Sequence, residues 1–144
     1  MKISADDATL LLIDVQDRIF AAMEGRDDLG AQLDLLLRGA AELSLPLIVS
    51  EQYPQGLGPT IAPLQPLISG ARVLPKTQFS CLANPDLRDV ILSSPRRQLV
   101  VAGIEGHVCV LQTVLDARAA GLEVFVVANA VASRKSRDLA LGLD

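Results

Sequence analysis

The 144-residue chain has no tryptophan, one tyrosine, three phenylalanines, a single histidine and two cysteines. Each shortage removes a class of protein. One histidine and two cysteines distant in sequence cannot assemble a usual catalytic zinc set. Cys81 and Cys109 do not form a CxxC pair and provide no disulfide framework, so reduced thiols and a cytoplasmic location are expected. Basic charge is short as well. Thirteen Lys and Arg stand against 17 Asp and Glu, a net charge of −4 that invites neither nucleic acid nor an anionic membrane. The N-terminal "MKISADDATLLLIDVQD" has neither the pattern of a signal peptide nor the length of a membrane span. Phosphate-handling motifs are missing too. "DVQDRIF" stands where a dinucleotide fold has GxGxxG, and Asp14 and Asp17 do not make the DxD of an aspartate phosphatase. Leu115 takes the place of the phosphate-cradling Arg of a cysteine phosphatase, and Lys76 that of the acceptor Asp of a receiver domain.

What is present is apolar and regularly spaced. Half the residues are hydrophobic and 21% are charged, which fits one folded domain over residues 1–144. The runs 9–14, 46–50, 71–74, 98–103 and 123–130 are aliphatic on both faces, as a parallel sheet covered on both sides requires. Between the first two runs, Leu29, Leu33, Leu36, Leu37, Ala40 and Leu43 recur at helical spacing, with Asp28 as the expected N-cap. Asn84 and Pro85 read as the cap and first position of another helix, and Gly121 as the stop of a helix over 108–120. "PTIAPLQPLISG", broken by Pro63 and Pro66, allows only a short helix. The expected fold is therefore α/β: a three-layer, Rossmann-like open parallel sheet of order 3-2-1-4-5, with ligands at the carboxyl ends of the strands.

That rule singles out three strand ends. The first run ends in Asp14, the third is followed by Lys76, and the fourth by Cys109 in "GIEGHVCV". A carboxylate, an ammonium and a thiol together suit nucleophilic catalysis. The ammonium and a helix N-terminus favour the thiolate, and the carboxylate takes the thiol proton and returns it to a leaving amine. Each has a plain alternative: Asp14 as a cap, Lys76 as a solvated charge, Cys109 as a small packed hydrophobe. Of the few aromatic rings, Phe20, Tyr53 and Phe79 follow strand ends and are candidates to wall a pocket, or else to cover the sheet edge. Cys81 reads as a packed thiol, and His107 as a loop or substrate-side residue.

At these residues the sequence resembles the isochorismatase-like cysteine hydrolases, the superfamily of nicotinamidases, N-carbamoylsarcosine amidases and isochorismatases. The likeness runs through "LLLIDVQDRIF", "VSEQYPQGLGPT", "LPKTQFSCL" and "VVAGIEGHVCVLQTVLDARAAGLEVFVVANAVASR", and "EQYPQGLGPT" is similar to an isochorismatase-domain subgroup. The resemblance implies an Asp14–Lys76–Cys109 triad in which Cys109 attacks a carbonyl carbon, Asp14 shuttles the proton and Lys76 supports the charge. It also implies a cis peptide at Ile104–Glu105 and an oxyanion hole of the Glu105 and Cys109 backbone N–H groups. Substrate contacts are expected at Gln16, Phe20, Tyr53, Phe79 and His107. No metal or other cofactor is implied, because "SEQYPQGLG" lacks the Asp-x-His pattern and further histidines of the metal-binding nicotinamidases. Gly106 replaces the more usual Thr or Ser of the loop.

The activity expected from this likeness is hydrolysis of a C–N bond in a small amide through a thioester. An ester or vinyl-ether hydrolase, or a binding protein on the same fold, remains as the other reading. Relatives continue with a further helix, a sixth strand and a terminal helix, so the chain is expected to be cut short at "SRKSRDLALGLD". Strand five then forms an edge, and "EVFVVANA" carries neither Lys nor Pro to discourage pairing. A homo-oligomer is expected, with strand five or the helix over 108–120 near the interface.

Overall fold

The aliphatic runs become strands because both of their faces are covered. In the computed structural model, which describes residues 2–144, these strands are β1 (Ala8–Ile13), β2 (Leu47–Gln52), β3 (Arg72–Lys76), β4 (Gln98–Ile104) and β5 (Glu123–Ala132). All pairings are parallel and the order is β3-β2-β1-β4-β5, as expected. Between β1 and β2 lie a single turn, α1 (Asp17–Phe20), and the long α2 (Arg26–Glu42). A short α3 (Pro54–Leu57) and a 3-10 segment, Ala62–Ile68, precede β3. A 3-10 turn, Cys81–Ala83, and α4 (Pro85–Leu92) lead to β4. A π-helical turn, Gly106–Val110, runs into α5 (Leu111–Ala119), and α6 (Ser136–Leu143) follows β5.

Alternation along β1 divides the core into two layers. Leu10 and Leu12 pack with Leu29, Leu33, Leu37 and Ala40 of α2, whereas Leu11 and Ile13 face Leu87 and Ile91 of α4 and Ala117 of α5. Each of these leucines and isoleucines, once buried, contributes roughly 1.5–3 kcal/mol. The central strands are thus fixed from both sides, and their carboxyl ends are held at one rim. Gly103 brings two of those ends unusually close. It pairs with Ile13 at φ 124°, and a Cβ there would overlap the Ile13 carbonyl. Only glycine lets β1 and β4 approach so tightly beneath the site.

Several local expectations change. α2 begins two residues before Asp28, behind Gly25 at φ 64°, so Asp28 sits in the first turn, where its charge suits the helix dipole, and is not the cap. Leu43 lies past the last turn and is 62% exposed, outside the stripe it was expected to continue. Asn84 does cap α4: its Oδ1 accepts the Leu87 N–H at 3.1 Å, with Pro85 in the first turn. β3 is not covered on both faces. It is the other edge strand, mostly exposed, and Pro75 within it presents no free N–H, which suits an edge. β5 pairs with β4 through Val126, loses register, and resumes at Val131.

Candidate active site

Asp14 follows β1 in the left-handed region, at φ 53°, which Asp tolerates better than most residues. Its backbone is held on both sides, the N–H donating to the Ser50 carbonyl at 3.1 Å and the carbonyl accepting from the Gln16 N–H at 2.8 Å. Its carboxylate is fully buried. Oδ2 accepts from Lys76 Nζ at 2.7 Å, and Oδ1 accepts from Ser50 Oγ, also at 2.7 Å. Lys76 ends β3 directly beside Gln52 of β2, so register alone brings the two together. Besides Asp14, its ammonium donates to Gln52 Oε1 at 2.7 Å and to the Gln78 carbonyl at 3.1 Å. Three donors meet three acceptors. Such saturation is what a buried ion pair requires to offset its desolvation.

Cys109 stands in the π-helical turn after β4 and is 7% exposed. The Glu105 carbonyl accepts the N–H groups of Val108 at 3.1 Å and Val110 at 3.2 Å, bridging over Cys109. Single π turns of this kind are frequent at functional sites. The Ile104–Glu105 peptide bond is cis. The charges of Asp14 and Lys76 both act on the thiol, so the three strand ends do converge.

The thiol is not activated in the expected sense. Burial, and then the negative charge of Asp14, push the Cys109 pKa up to about 12, outweighing the opposing pull of Lys76. At neutral pH the resting sulfur is protonated, and the thiolate forms only if its proton is taken. Cys81 is shifted upward too, first by burial, and is completely enclosed. Its N–H donates to Thr113 Oγ1 at 3.0 Å, which ties the turn before α4 to α5.

A cleft of about 340 Å³ opens over Cys109. Tyr53 and Phe79 line it, as expected, at 55% and 60% exposure. Tyr53 has a φ of 36° in the left-handed region, and its ring lies where a Cβ on Gly56 would be, so Gly56 seats the ring. Gln16, Phe20 and His107 do not line the cleft, contrary to expectation. Gln16 is wholly buried, and its amide is spent on the backbone: Nε2 donates to the Gln52 carbonyl at 2.9 Å and the Gly58 carbonyl at 2.7 Å, and Oε1 accepts the Gln52 N–H. Phe20 turns back onto the α2 core near Gly30. His107 bonds Ser133 Oγ through Nδ1 at 2.8 Å, and Gly142 of α6 packs against it.

Two residues that no role was expected for, Ser50 and Gln52, hold the ion pair. Both lie in "VSEQYPQGLGPT", two apart on β2, so they share one face of the strand next to Asp14. Glu105 lines the cleft, and its carboxylate is held by Arg134, whose Nε lies 3.1 Å from Oε1. A second, aliphatic concavity of about 430 Å³, bordered by Ile3, Leu35 and Leu43, is lined by none of Asp14, Lys76 and Cys109. Among the described residues no three His, Cys, Asp or Glu side chains gather as a metal site would need, and no helix is long and apolar enough to cross a membrane.

Residues 8–144 match the model of the isochorismatase domain family. The chain is 41% identical over 133 residues to isochorismatase domain-containing protein 1 of Salmo salar, covering 91% of this chain and 46% of that protein. It spans about half the length of the curated relatives it matches first. A solved structure described as the MAR1 ribonuclease of Caenorhabditis elegans superposes with a TM-score of 0.87 at 33% identity, over 99% of this chain and 73% of that one. The YcaC gene product of Escherichia coli, described as an octameric hydrolase of unknown specificity, superposes at 0.94 with 24% identity, over 99% of this chain and 72% of that one.

Proposed function

The chain belongs to the isochorismatase family, and we propose that within it this protein is a cysteine hydrolase that cleaves the C–N bond of a small amide. One observation carries the reading: the buried Asp14–Lys76 pair bears directly on the Cys109 thiol at the floor of a cleft. Because the resting thiol is protonated, attack and proton transfer occur together. As the Cys109 Sγ–carbon bond forms, the thiol proton passes to Asp14, and the backbone N–H groups of Glu105 and Cys109 receive the developing oxyanion. Asp14 then gives the proton to the leaving nitrogen, the C–N bond breaks, and a thioester remains on Cys109. Water adds to that thioester with Asp14 as base. The acid departs and the sulfur regains its proton. Lys76 keeps Asp14 aimed throughout, because its ammonium is fixed by three hydrogen bonds, one of them to the carboxylate.

An ester would pass through the same thioester, so esters belong in the test. The description of the C. elegans neighbour adds RNA, but a net charge of −4 gives phosphates little to bind. We expect small amides to be turned over, with activity surviving a chelator, in a panel of amides, ureas, esters, isochorismate and single-stranded RNA. Cleavage of RNA or of isochorismate alone would contradict the amidase reading.

Association of copies belongs to the same proposal. β5 is an outer strand, and Leu115 of the adjoining α5 is 55% exposed. Sedimentation is expected to give a mass above that of one chain; a stable monomer with β5 open to solvent would contradict it.

A further inference from the structure

The cleft's charge pattern says which acyl groups it takes. On the reading that Cys109 is the acyl-accepting nucleophile, we propose that the cleft accepts an uncharged substrate with a small apolar body and rejects one that carries a carboxylate near the scissile bond. The ammonium of Lys76 is completely enclosed, and Asp14, Gln52 and the Gln78 carbonyl occupy all three of its donors. Arg134 points its Nε at Glu105 and does not line the cleft, and no other cationic side chain does. The one charged residue on the wall is Glu105, whose carboxylate is paired with Arg134, and the Asp14 charge acts on the thiol from the buried ion pair. An anionic substrate would therefore lose its hydration and find no free cationic partner, with the carboxylates of Glu105 and Asp14 close by, an arrangement that discriminates against anions.

The remaining wall is apolar. Ile19, Leu57 and Val108 surround the thiol, and the rings of Tyr53 and Phe79 stand at the mouth. At about 340 Å³ the cleft lies near the lower end of the range for small-molecule sites, which suits a small acyl group. Gly56 matters here because it lets the Tyr53 ring lie back against the chain and close that side.

Iodoacetamide and iodoacetate, nearly equal in size and different in charge, test this without any turnover. Their rates at Cys109, read by peptide mass at neutral pH and low salt, are compared with their rates at glutathione. Relative to glutathione, Cys109 is expected to disfavour iodoacetate by at least about tenfold, since like charges a few ångströms apart repel strongly near a protein surface. Leu57→Lys, which adds a free cation to the wall, is expected to remove most of that preference. Equal relative rates in the wild type would overturn the proposal, and so would a preference that the added lysine leaves unchanged. If Leu57→Lys does not fold, the wild-type ratio alone decides. Because alkylation needs no hydrolysis, a retained preference in a protein that cleaves no amide would fail the amidase reading and leave this inference standing.

Discussion

Cys109→Ala is expected to lower kcat on any substrate the protein cleaves by about 10⁵-fold or more, the scale on which nucleophile deletions act when the catalytic groups work as a unit. The loss is chemical and not structural. Cys109 is 7% exposed, and the hydrogen bonds that hold the ion pair run to Ser50, Gln52 and Gln78 and not to its sulfur, so its removal leaves the two core layers and the ion pair in place. Unchanged urea unfolding beside lost turnover is the expected pair of results. Substrate affinity is expected to persist in the variant, because the cleft wall is built from other side chains. Full activity in Cys109→Ala would remove the nucleophile from the account.

Asp14→Asn produces two effects that move in opposite directions. Turnover falls by about 10³-fold, since the group that takes the thiol proton and returns it to the leaving nitrogen is gone. Alkylation of Cys109 by iodoacetamide at pH 7 rises. The sign follows from the causes of the shift. Burial and the Asp14 charge raise the thiol pKa while Lys76 lowers it, so removing the Asp14 charge leaves the ammonium unopposed beside the sulfur. Each unit by which the pKa then falls multiplies the thiolate fraction at neutral pH about tenfold. In the wild type, with the thiol near 12, the alkylation rate is expected to keep climbing with pH well past the ordinary cysteine range; in Asp14→Asn it levels off earlier. The variant also strands a fully enclosed ammonium, and breaking a buried pair in this way costs about 3–5 kcal/mol. Urea unfolding before alkylation shows whether the folded form is the one being labelled. Alkylation that falls together with turnover would mean that Asp14 promotes a standing thiolate, and the coupled proton transfer would be wrong.

The strand ends were legible in the sequence for a physical reason. Central parallel strands buried on both faces must be continuous aliphatic runs, so Asp14 and Cys109 stand out where the runs of β1 and β4 stop, and Lys76 ends the shorter run of the edge strand β3. The direction in which a side chain turns after a strand end is not written in that pattern. Gln16 follows Asp14 by two residues yet is drawn inward by the backbone of Gln52 and Gly58, and Phe20 rotates onto α2. His107 is claimed by Ser133, which the chain supplies 26 residues later. The π turn at Gly106–Val110 has no sequence period to announce it, and the expected α-helix over 108–120 begins instead at Leu111. The thiol pKa illustrates the same limit. Charges can be counted from a sequence, but burial decides this one, and burial of Cys109 depends on how the turn closes over it. Ser50 and Gln52 were within reach, because two polar residues spaced by two at the end of an apolar strand point to one side of its rim.

The central claim is a covalent acyl group on one sulfur. Rapid acid quench of the protein during turnover of an activated acyl substrate, followed by peptide mass analysis, tests it most directly. The account predicts that the peptide containing Cys109 gains the mass of the acyl group, that hydroxylamine removes it, and that Asp14→Asn slows its appearance. An acyl mass on Cys81, or steady turnover with no acylated peptide in the wild type and undiminished rate in Cys109→Ala, would contradict it.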